Sequence, residues 1–351
     1  MNPYVPFEAL ETKITVKKSQ LLDKEKFSAL LNCDSIDQMA EMLKSEYNFH
    51  NIFDRTDKQI FHRDALETLF HQHAVSELEN ILHFFSGPYR EFMKTFLMEF
   101  EIYDLLLIFR KISLGESAED MQSHFIHPQK HSPLQYDDLL ESKTVIQLVE
   151  KLKETPYFNV LKTAAESNPV SREFHVETKL QLLFYTALFR KARKLSPNDR
   201  HIAEDLIGLK VDCLNVQWIF RAQKYYHFSP EQMLVYSLPG GRMLGLKNLK
   251  TLCYAKSADE TRILINRYLN STIFTDNDEM NMERNLDDYL YREVTGLQHR
   301  KSVGMAISYV YLLKIVMKEF IVATEAIRYR VPKELIGDYL IHSMVKEGVN
   351  Q

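Results

Sequence analysis

The chain has 351 residues, 26% of them charged, and a formal net charge of −4 at pH 7, so it lacks the basic surplus that would indicate a nucleic-acid partner. Its ten glycines and eleven prolines are below the usual share, and no stretch alternates apolar with polar residues as a half-buried strand does. The sequence therefore predicts an all-α protein that is long enough to bury a sizeable core.

In chain order, the predicted elements are long helices in pairs, separated by shorter helices and polar breaks. A helical lead-in over residues 5–46 comes first. It is followed by long helices over 57–85 and 89–113, a short helix over 118–126, another from 144, long helices over 171–193 and 200–225, a short helix from 229, and a last long pair that ends near 328. Two polar connectors, which contain Pro128 and Pro239, separate the pairs.

One ten-residue segment that begins with an acid and ends with an arginine occurs three times. It reads E-I-Y-D-L-L-L-I-F-R at 101–110, D-C-L-N-V-Q-W-I-F-R at 212–221 and E-F-I-V-A-T-E-A-I-R at 319–328. The arginines are 111 and 107 residues apart, and a fixed period of this length indicates one supersecondary unit used three times. Asp104 and Asn215 occupy one column of the repeat, but Val322 breaks it, so the third copy is divergent.

Other landmarks keep the same period. Ser35, Thr144 and Ser257 each precede a short helix-like run, and their hydroxyls can accept a first-turn amide proton. Glu67, Glu177 and Asp287 are 110 residues apart, and both connector prolines come 18 residues after an arginine. The sequence thus predicts three helical repeats, over residues 1–127, 128–238 and 239–351.

The repeated acid and arginine cannot bond each other within one segment, because positions nine apart on a straight helix face opposite sides. The acid lies within the apolar stripe of its helix and needs a partner there, whereas the arginine lies outside the stripe. Two interpretations follow: a structural polar network between helices, or an active-site carboxylate with an anion-binding arginine. The network, which the repetition favours, would comprise Glu101, Arg110, Asp212, Arg221, Glu319 and Arg328.

Further patterns predict no metal, cofactor or catalytic site. His124, His127 and His131 have ligand-like spacing, but Pro128 interrupts any helix there, so a polar linker is favoured over zinc. The D-N-D-E-M-N run from residue 276 lacks essential EF-hand positions and is predicted to be a surface loop. The glycines in P-G-G-R-M-L-G, from residue 239, are predicted to permit a turn with positive φ, since the P-loop lysine is missing.

Three cysteines, Cys33, Cys213 and Cys253, without a C-x-x-C pair fit reduced, cytosolic surroundings, and Cys213 is predicted to be buried. The N-terminal residues do not have the layout of a signal peptide. The most apolar run, residues 304–322, contains two lysines and a glutamate, so it predicts a buried helix and no insertion into the membrane.

The chain resembles the C subunits of bacterial and archaeal V/A-type ATPases, whose eukaryotic counterpart is the d subunit. The resemblance rests on the paired helices, the three acid-to-arginine segments, L-P-G-G-R from residue 238 and R-Y-R-V-P-K-E-L-I from residue 328. It implies three similar helical domains arranged as a funnel with pseudo-threefold symmetry. It also implies a non-catalytic rotor component on the cytoplasmic face of the membrane, without a cofactor, that joins the D and F shaft subunits to a ring of c or K subunits.

Two other functions remain open from the residues themselves. A general helical scaffold that binds other proteins would also need long packed helices and no reactive site. An all-α enzyme would use Glu101, Asp212 or Glu319 together with an arginine.

Overall fold

The computed structural model describes residues 7–21, 24–47, 63–117, 119–165, 169–275, 281–296, 301–336 and 340–341. Within these ranges every regular element is helical, which confirms the predicted all-α class. The α-helices are α1 (Phe7–Leu21), α2 (Lys24–Leu31), α3 (Ile36–Tyr47), α4 (Arg63–Leu82), α5 (Gly87–Lys94), α6 (Met98–Ser113), α7 (Tyr136–Leu140), α8 (Val145–Lys151), α9 (Phe158–Ala165), α10 (Pro169–Ala192), α11 (Pro197–Arg221), α12 (Pro230–Tyr236), α13 (Leu246–Cys253), α14 (Ala258–Leu269), α15 (Met282–Gly296), α16 (Val303–Arg328) and α17 (Lys333–Ile336).

The chain divides into two compact units. One is Val75–Lys194, and the other combines Met1–Ala74 with Leu195–Gln351. The second unit therefore brings together segments from both ends of the sequence.

In the unit Val75–Lys194, helix α10 packs against α5 and α6, and α9 packs against α8 and α10. The predicted helix over 89–113 is interrupted by a 3₁₀ turn at Thr95–Leu97, which separates α5 from α6. The short helix predicted over 118–126 is also different, because its described part is a 3₁₀ helix at Glu119–His124. Both differences involve the hydrogen-bond spacing of single turns, which apolar periodicity does not specify.

In the other unit, helices α11, α15 and α16 pack against one another, and α1, α2 and α3 pack on α16. The apolar run 304–322 lies in α16 and is almost entirely buried, as predicted. The ring of Phe320, on the same helix, has centroid distances of 6.0 Å to Phe27 and 5.8 Å to Phe70. None of the helices in the described ranges combines the length and hydropathy needed to cross a membrane.

The predicted helix caps are confirmed at all three serine and threonine positions. In each case the hydroxyl oxygen accepts the amide proton of the third residue of the helix, which satisfies a donor that has no partner within the helix. The pairs are Ser35 with Gln38, Thr144 with Gln147 and Ser257 with Glu260, each at 3.2 Å. In return, the side chains of these third residues accept the amide protons of Asp34, Lys143 and Lys256. The three short helices thus begin with the same reciprocal arrangement.

Candidate functional site

The acids that open the repeated segments are buried, as the apolar stripe predicts: Glu101 is 3% exposed, Asp212 is 0% exposed and Glu319 is 4% exposed. The arginines that close the segments remain partly exposed. Because buried carboxylates need hydrogen-bond donors, the positions of those donors show what each acid holds in place. Two loops are concerned, named here the first connector (residues 126–136) and the second connector (residues 238–245).

Asp104 binds the first connector to helix α6. Its Oδ1 accepts the amide proton of Ile126 at 2.9 Å, and its Oδ2 accepts the amide proton of His127 at 2.9 Å and the hydroxyl proton of Tyr136 at 3.2 Å. Burial raises the pKa of Asp104 to about 7, although these donors oppose the rise. One side chain in the middle of a long helix therefore fixes both ends of the connector.

Glu101 lies in the same unit and accepts a hydrogen bond from the hydroxyl of Tyr157. Its Oε2 is 3.9 Å from Nε2 of His127, but burial lowers the pKa of that histidine to about 3. The imidazole is therefore neutral at neutral pH, so this contact is not an ion pair. Burial also raises the pKa of Glu101.

The three histidines with ligand-like spacing have different environments. His127 is buried, and its Nδ1 has no hydrogen-bond partner among the described residues, while Nε2 of His131 is 3.1 Å from Oε1 of Glu79. Nδ1 of His124 is 3.2 Å from Oγ of Ser123. Across the described ranges, no three histidine, cysteine or acidic side chains form a group suited to a metal ion. The run from residue 276 lies partly outside the described residues.

Asn215 binds the second connector at the residue that corresponds to His127. Its side-chain oxygen accepts the amide proton of Leu238 at 2.7 Å, and its side-chain nitrogen donates to the Leu238 carbonyl at 2.9 Å. Leu238 precedes Pro239 just as His127 precedes Pro128. Asp104 and Asn215, which share a column of the repeat, thus bind the backbone of the same connector position.

Asp212 holds the far end of the second connector. Its Oδ2 accepts the amide proton of Met243 at 2.6 Å, and its Oδ1 accepts that of Leu244 at 3.0 Å. Burial raises the pKa of Asp212 to about 6, while the amide bonds and the charge of Arg242 lower it. The sequence predicted a polar network between helices for this carboxylate, and its hydrogen-bond partners are backbone amides of the second connector.

Two glycines allow this close approach, and sequence reasoning missed both roles. A Cβ on Gly208, within α11, would lie 2.9 Å from the backbone N of Arg242 and 2.9 Å from the carbonyl oxygen of Gly240. A Cβ on Gly241 would overlap with Oδ1 of Asp212. The predicted positive φ is confirmed at Gly240, where it is 92°. The available signal was Gly208 itself, since glycine in a helix interior often marks close packing.

Arg242 links the second connector to two long helices. Its guanidinium lies 2.5 Å from Oε2 of Glu293 and 3.3 Å from the hydroxyl of Tyr289, both on α15. Its Nη1 lies 3.6 Å from Oδ2 of Asp205 on α11. The connector is therefore tied to the helices on both sides of it.

The third acid-to-arginine segment, residues 319–328, makes different contacts from the first two, and it also has Val322 where they have Asp104 and Asn215. Both carboxylate oxygens of Glu319 lie near the amide nitrogen of Ile341, at 3.2 and 3.3 Å. Burial raises the pKa of Glu319 to about 8. Val322, in the column of Asp104 and Asn215, has no polar side chain with which to bind a backbone, whereas Glu319 accepts the amide proton of Ile341.

The first two arginines each pair with a glutamate on a later long helix. Arg110 pairs with Glu173, and its Nη2 is 3.7 Å from Oε2 of Glu177, both on α10. Arg221 pairs with Glu283 on α15. Glu173 and Glu283 are 110 residues apart, so these contacts, named here the first and second joints, are equivalent. Nε of Arg328 lies 3.3 Å from Oε1 of Glu325 on the same helix.

The sequence profile of the family described as ATP synthase (C/AC39) subunit matches residues 10–339. The chain belongs to this family. The C subunit of the A-type ATP synthase of Methanosarcina acetivorans is 25% identical over 251 residues, which cover 72% of this chain and 68% of that protein. The equivalent protein of Methanosarcina mazei is 24% identical, with 71% and 68% covered. That of Thermococcus kodakarensis is 21% identical over 358 residues, with 99% and 91% covered.

As a member of the ATP synthase (C/AC39) subunit family, the chain is a subunit of a rotary ATPase. Its family profile includes both connectors and both joints, which all lie between residues 10 and 339. The arrangements described above therefore belong to the part of the chain that the family shares.

Proposed function

We propose that this chain is the non-catalytic central-stalk subunit that couples the shaft of a rotary ATPase to its membrane rotor ring. The family match over residues 10–339 is the observation that carries the proposal. The partners in this proposal are the D and F shaft subunits on one side and the ring of c or K subunits on the other. The chain would lie on the cytoplasmic face of the membrane, held there by the ring.

The proposed architecture is three helical repeats, residues 1–127, 128–238 and 239–351, arranged as a funnel with pseudo-threefold symmetry. The joints support it, because each links the last turn of a repeat's second long helix to the first turns of the next repeat's first long helix. The three equivalent helix caps at Ser35, Thr144 and Ser257 support it as well. A repeat whose neighbours are fixed in this way can bury an apolar face that it could not bury alone.

A subunit that transmits torque needs loops that do not yield when a partner pushes on them. The two connectors meet this need, because Asp104 and Asn215 bind the connector backbone with buried hydrogen bonds. A buried hydrogen bond of this kind is costly to break, since each separated group would remain unsatisfied. The connectors therefore move with the long helices.

The buried acids support a role without catalysis. Glu101, Asp212 and Glu319 are each directed at hydroxyl or amide donors of the protein itself. A catalytic carboxylate has to reach a substrate, and these three groups are engaged in holding the chain together.

The second connector and the helix after it offer a surface for a partner. Met243 and Leu246 are large apolar side chains that remain exposed, the latter at 73%. The first connector instead exposes the charged side chain of Lys130, which pairs with Glu79 at 2.7 Å. The apolar surface is suited to a stable contact within an assembly, because burial of these side chains removes apolar area from water.

Co-purification tests the proposal. The tagged chain, expressed in a host that makes the whole ATPase, should recover both the shaft subunits and the ring subunits. A Met243→Glu/Leu246→Glu variant should lose one of these two sets, while Ile146→Glu, a matched control at a site that is 71% exposed, should lose neither. Recovery of unrelated proteins without either set would instead favour a general helical scaffold.

A further inference from the structure

Helix α13 buries one side and exposes the other. It packs against α11, α12 and α14, and the side chains on its inner side are buried: Leu249, Leu252 and Cys253. At about 100° per residue, the exposed positions form one continuous arc on the opposite side. The large or charged side chains of this arc are Leu246, Lys247, Lys250 and Tyr254, and Met243 is exposed just before the helix. These five residues are named here the α13 surface.

Both charged groups of the α13 surface are positive. No aspartate or glutamate occurs in residues 232–258, although the whole chain has more acidic residues than lysines and arginines, 48 against 44. Nζ of Lys250 lies 5.9 Å from the centre of the Tyr254 ring, and neither Lys247 nor Lys250 forms an ion pair within the described ranges. Glu231, on α12, accepts the hydroxyl proton of the same tyrosine at 2.7 Å. The two ammonium groups can therefore pair with carboxylates of another molecule.

The corresponding short helix near the first connector has the opposite charge. Helix α7 ends four residues before the cap Thr144, just as α13 ends four residues before the cap Ser257. The exposed side chains of α7 and of the residue after it are acidic: Asp137, Asp138 and Glu141. A helix in this position can thus expose either sign of charge. The fold does not require lysines on α13, so their presence points to what this surface binds.

We propose that the α13 surface docks a helix of another subunit of the assembly, whose apolar face is flanked by carboxylates. Met243 and Leu246 would bury their side chains against the apolar face, while the two lysines would pair with the carboxylates. A helix fits because the exposed ridges of one helix pack into the grooves of another, and the eight residues of α13 extend over about 12 Å, or two turns of a partner. The inference rests on the proposed function, which supplies the assembly.

The apolar and charged parts of this surface have different tasks. Burial of the apolar side chains removes area from water and supplies most of the affinity, whereas the charges select the partner and its orientation. Like charges at such a contact oppose a wrong partner. The lysines would therefore reject the basic face of a helix that offered the same apolar contact.

An anionic lipid surface also carries negative charge, but it fits the α13 surface less well. Segments that bind anionic lipid typically bring about four to eight lysines or arginines together, and the α13 surface has two. Helices that lie in a membrane interface also have a long apolar face, whereas α13 has eight residues and buries its larger apolar side in the protein. A protein partner is therefore favoured.

Reversing the charge of the two lysines is the decisive test. The tagged chain is expressed in a host that makes the other ATPase subunits but lacks its own copy of this one, and the recovered shaft and ring subunits are quantified relative to the tagged chain. At about 0.05 M NaCl, Lys247→Glu/Lys250→Glu should lower recovery of one set about tenfold or more, because two attractions become two repulsions. The set that is lost identifies the partner.

Two matched variants serve as controls. Lys247→Arg/Lys250→Arg keeps the charge and should stay within about twofold of wild type. Lys143→Glu/Lys194→Glu reverses two other exposed lysines and should stay within the same range. All four positions are exposed, so the thermal midpoints of these variants should lie within about 2 °C of wild type.

A further pair of variants separates the sign of the charge from the apolar contact. Leu246→Lys and Leu246→Glu remove the same apolar side chain but add opposite charges. With an acidic partner, Leu246→Lys should recover about threefold or more of the affected set than Leu246→Glu does, and about 0.5 M NaCl should remove most of this difference. Equal recovery by the two variants at low salt would overturn the proposal.

The outcomes separate this inference from the proposed function. If wild type recovers both sets and Lys247→Glu/Lys250→Glu recovers them equally well, the inference is overturned and the proposed function stands. If wild type recovers neither set, the proposed function fails and the inference fails with it. Vesicles of phosphatidylcholine with about one-third phosphatidylserine test the lipid alternative by sedimentation. Wild type should bind them no more than the charge-reversed variant does, and greater binding by wild type would assign the surface to lipid and overturn the proposal.

Discussion

The two connectors are held at the same backbone position by chemically different side chains. Asp104 accepts protons from two consecutive amides and a tyrosine hydroxyl, whereas Asn215 satisfies both the amide and the carbonyl of a single residue, Leu238. The first arrangement buries an ionisable group, and the second does not. Because of this difference, the two contacts hold equivalent backbone positions but should respond differently to pH and to substitution.

The largest effect is expected where the first connector loses the side chain that holds it to the middle of α6. Asp104→Ala leaves two amides and the Tyr136 hydroxyl without their acceptor, so the free energy of unfolding should fall by about 3–5 kcal/mol. Urea denaturation followed by circular dichroism measures this change. Glu141→Ala, at an exposed position of the same unit, serves as the control and should change stability by less than about 0.5 kcal/mol. A loss below about 1 kcal/mol for Asp104→Ala would show that the connector is not held by this side chain.

The pH dependence should separate the Asp104 contact from the Asn215 contact. Burial raises the pKa of Asp104 from the ordinary 3.8 to about 7, so the folded protein binds this proton more tightly than the unfolded chain does. The resulting stabilisation is complete below about pH 4 and is lost as the pH rises through about 7. Between roughly pH 5 and pH 8, the free energy of unfolding of the wild type should therefore fall by about 2–3 kcal/mol relative to that of Asp104→Asn. If the difference in unfolding free energy between the two proteins stayed constant across that range, the raised pKa of Asp104 would be contradicted.

Replacing the amide of Asn215 with a carboxyl group tests how this side chain holds the second connector. Asn215→Asp removes the donor to the Leu238 carbonyl and places a negative charge beside it, so stability should fall by about 2 kcal/mol at roughly pH 8. The loss should shrink at about pH 5, because protonation of the new carboxyl restores a donor. Denaturation at both pH values measures the change, and an equal loss at both would argue against this explanation.

A smaller loss of stability is expected when the close packing between the second connector and α11 is disturbed. Gly208→Ala places a Cβ 2.9 Å from backbone atoms of Arg242 and Gly240, and the strain should outweigh the gain in helix propensity by roughly 1–2 kcal/mol. Gly245→Ala is the matched control, because nothing lies within 4 Å of its Cβ position. Thermal unfolding of the two variants compares them directly, and equal midpoints would show that the connector can move away from α11.

The joints should be the least sensitive of these contacts. Arg110 and Arg221 are partly exposed, so replacing either with alanine should cost only about 0.2–1 kcal/mol, and less at high salt. Parallel urea titrations at about 0.05 and 0.5 M NaCl measure both effects. A loss as large as that of Asp104→Ala would mean that the joints, and not the buried connector contacts, dominate the stability of the protein.

Features that depend on a few neighbouring residues could be predicted well. The caps at Ser35, Thr144 and Ser257, the burial of Glu101, Asp212 and Glu319, and the buried run 304–322 all follow from side-chain chemistry or from helical periodicity. The same periodicity did not distinguish α-helix from 3₁₀ helix at Thr95–Leu97 or Glu119–His124, because both place apolar residues on one face over a single turn.

The sequence by itself determined the helical class, the repeated landmarks and which acids would be buried, since these depend on local spacing and composition. Only the tertiary structure decided what each buried acid binds. The donors to Asp104, Asp212 and Glu319 lie 22 to 32 residues further along the chain, and those to Asp212 reach it only because Gly208 and Gly241 let a loop approach α11. A backbone amide is present at every residue except proline, so no pattern of side chains marks which amide will fold back onto a given carboxylate.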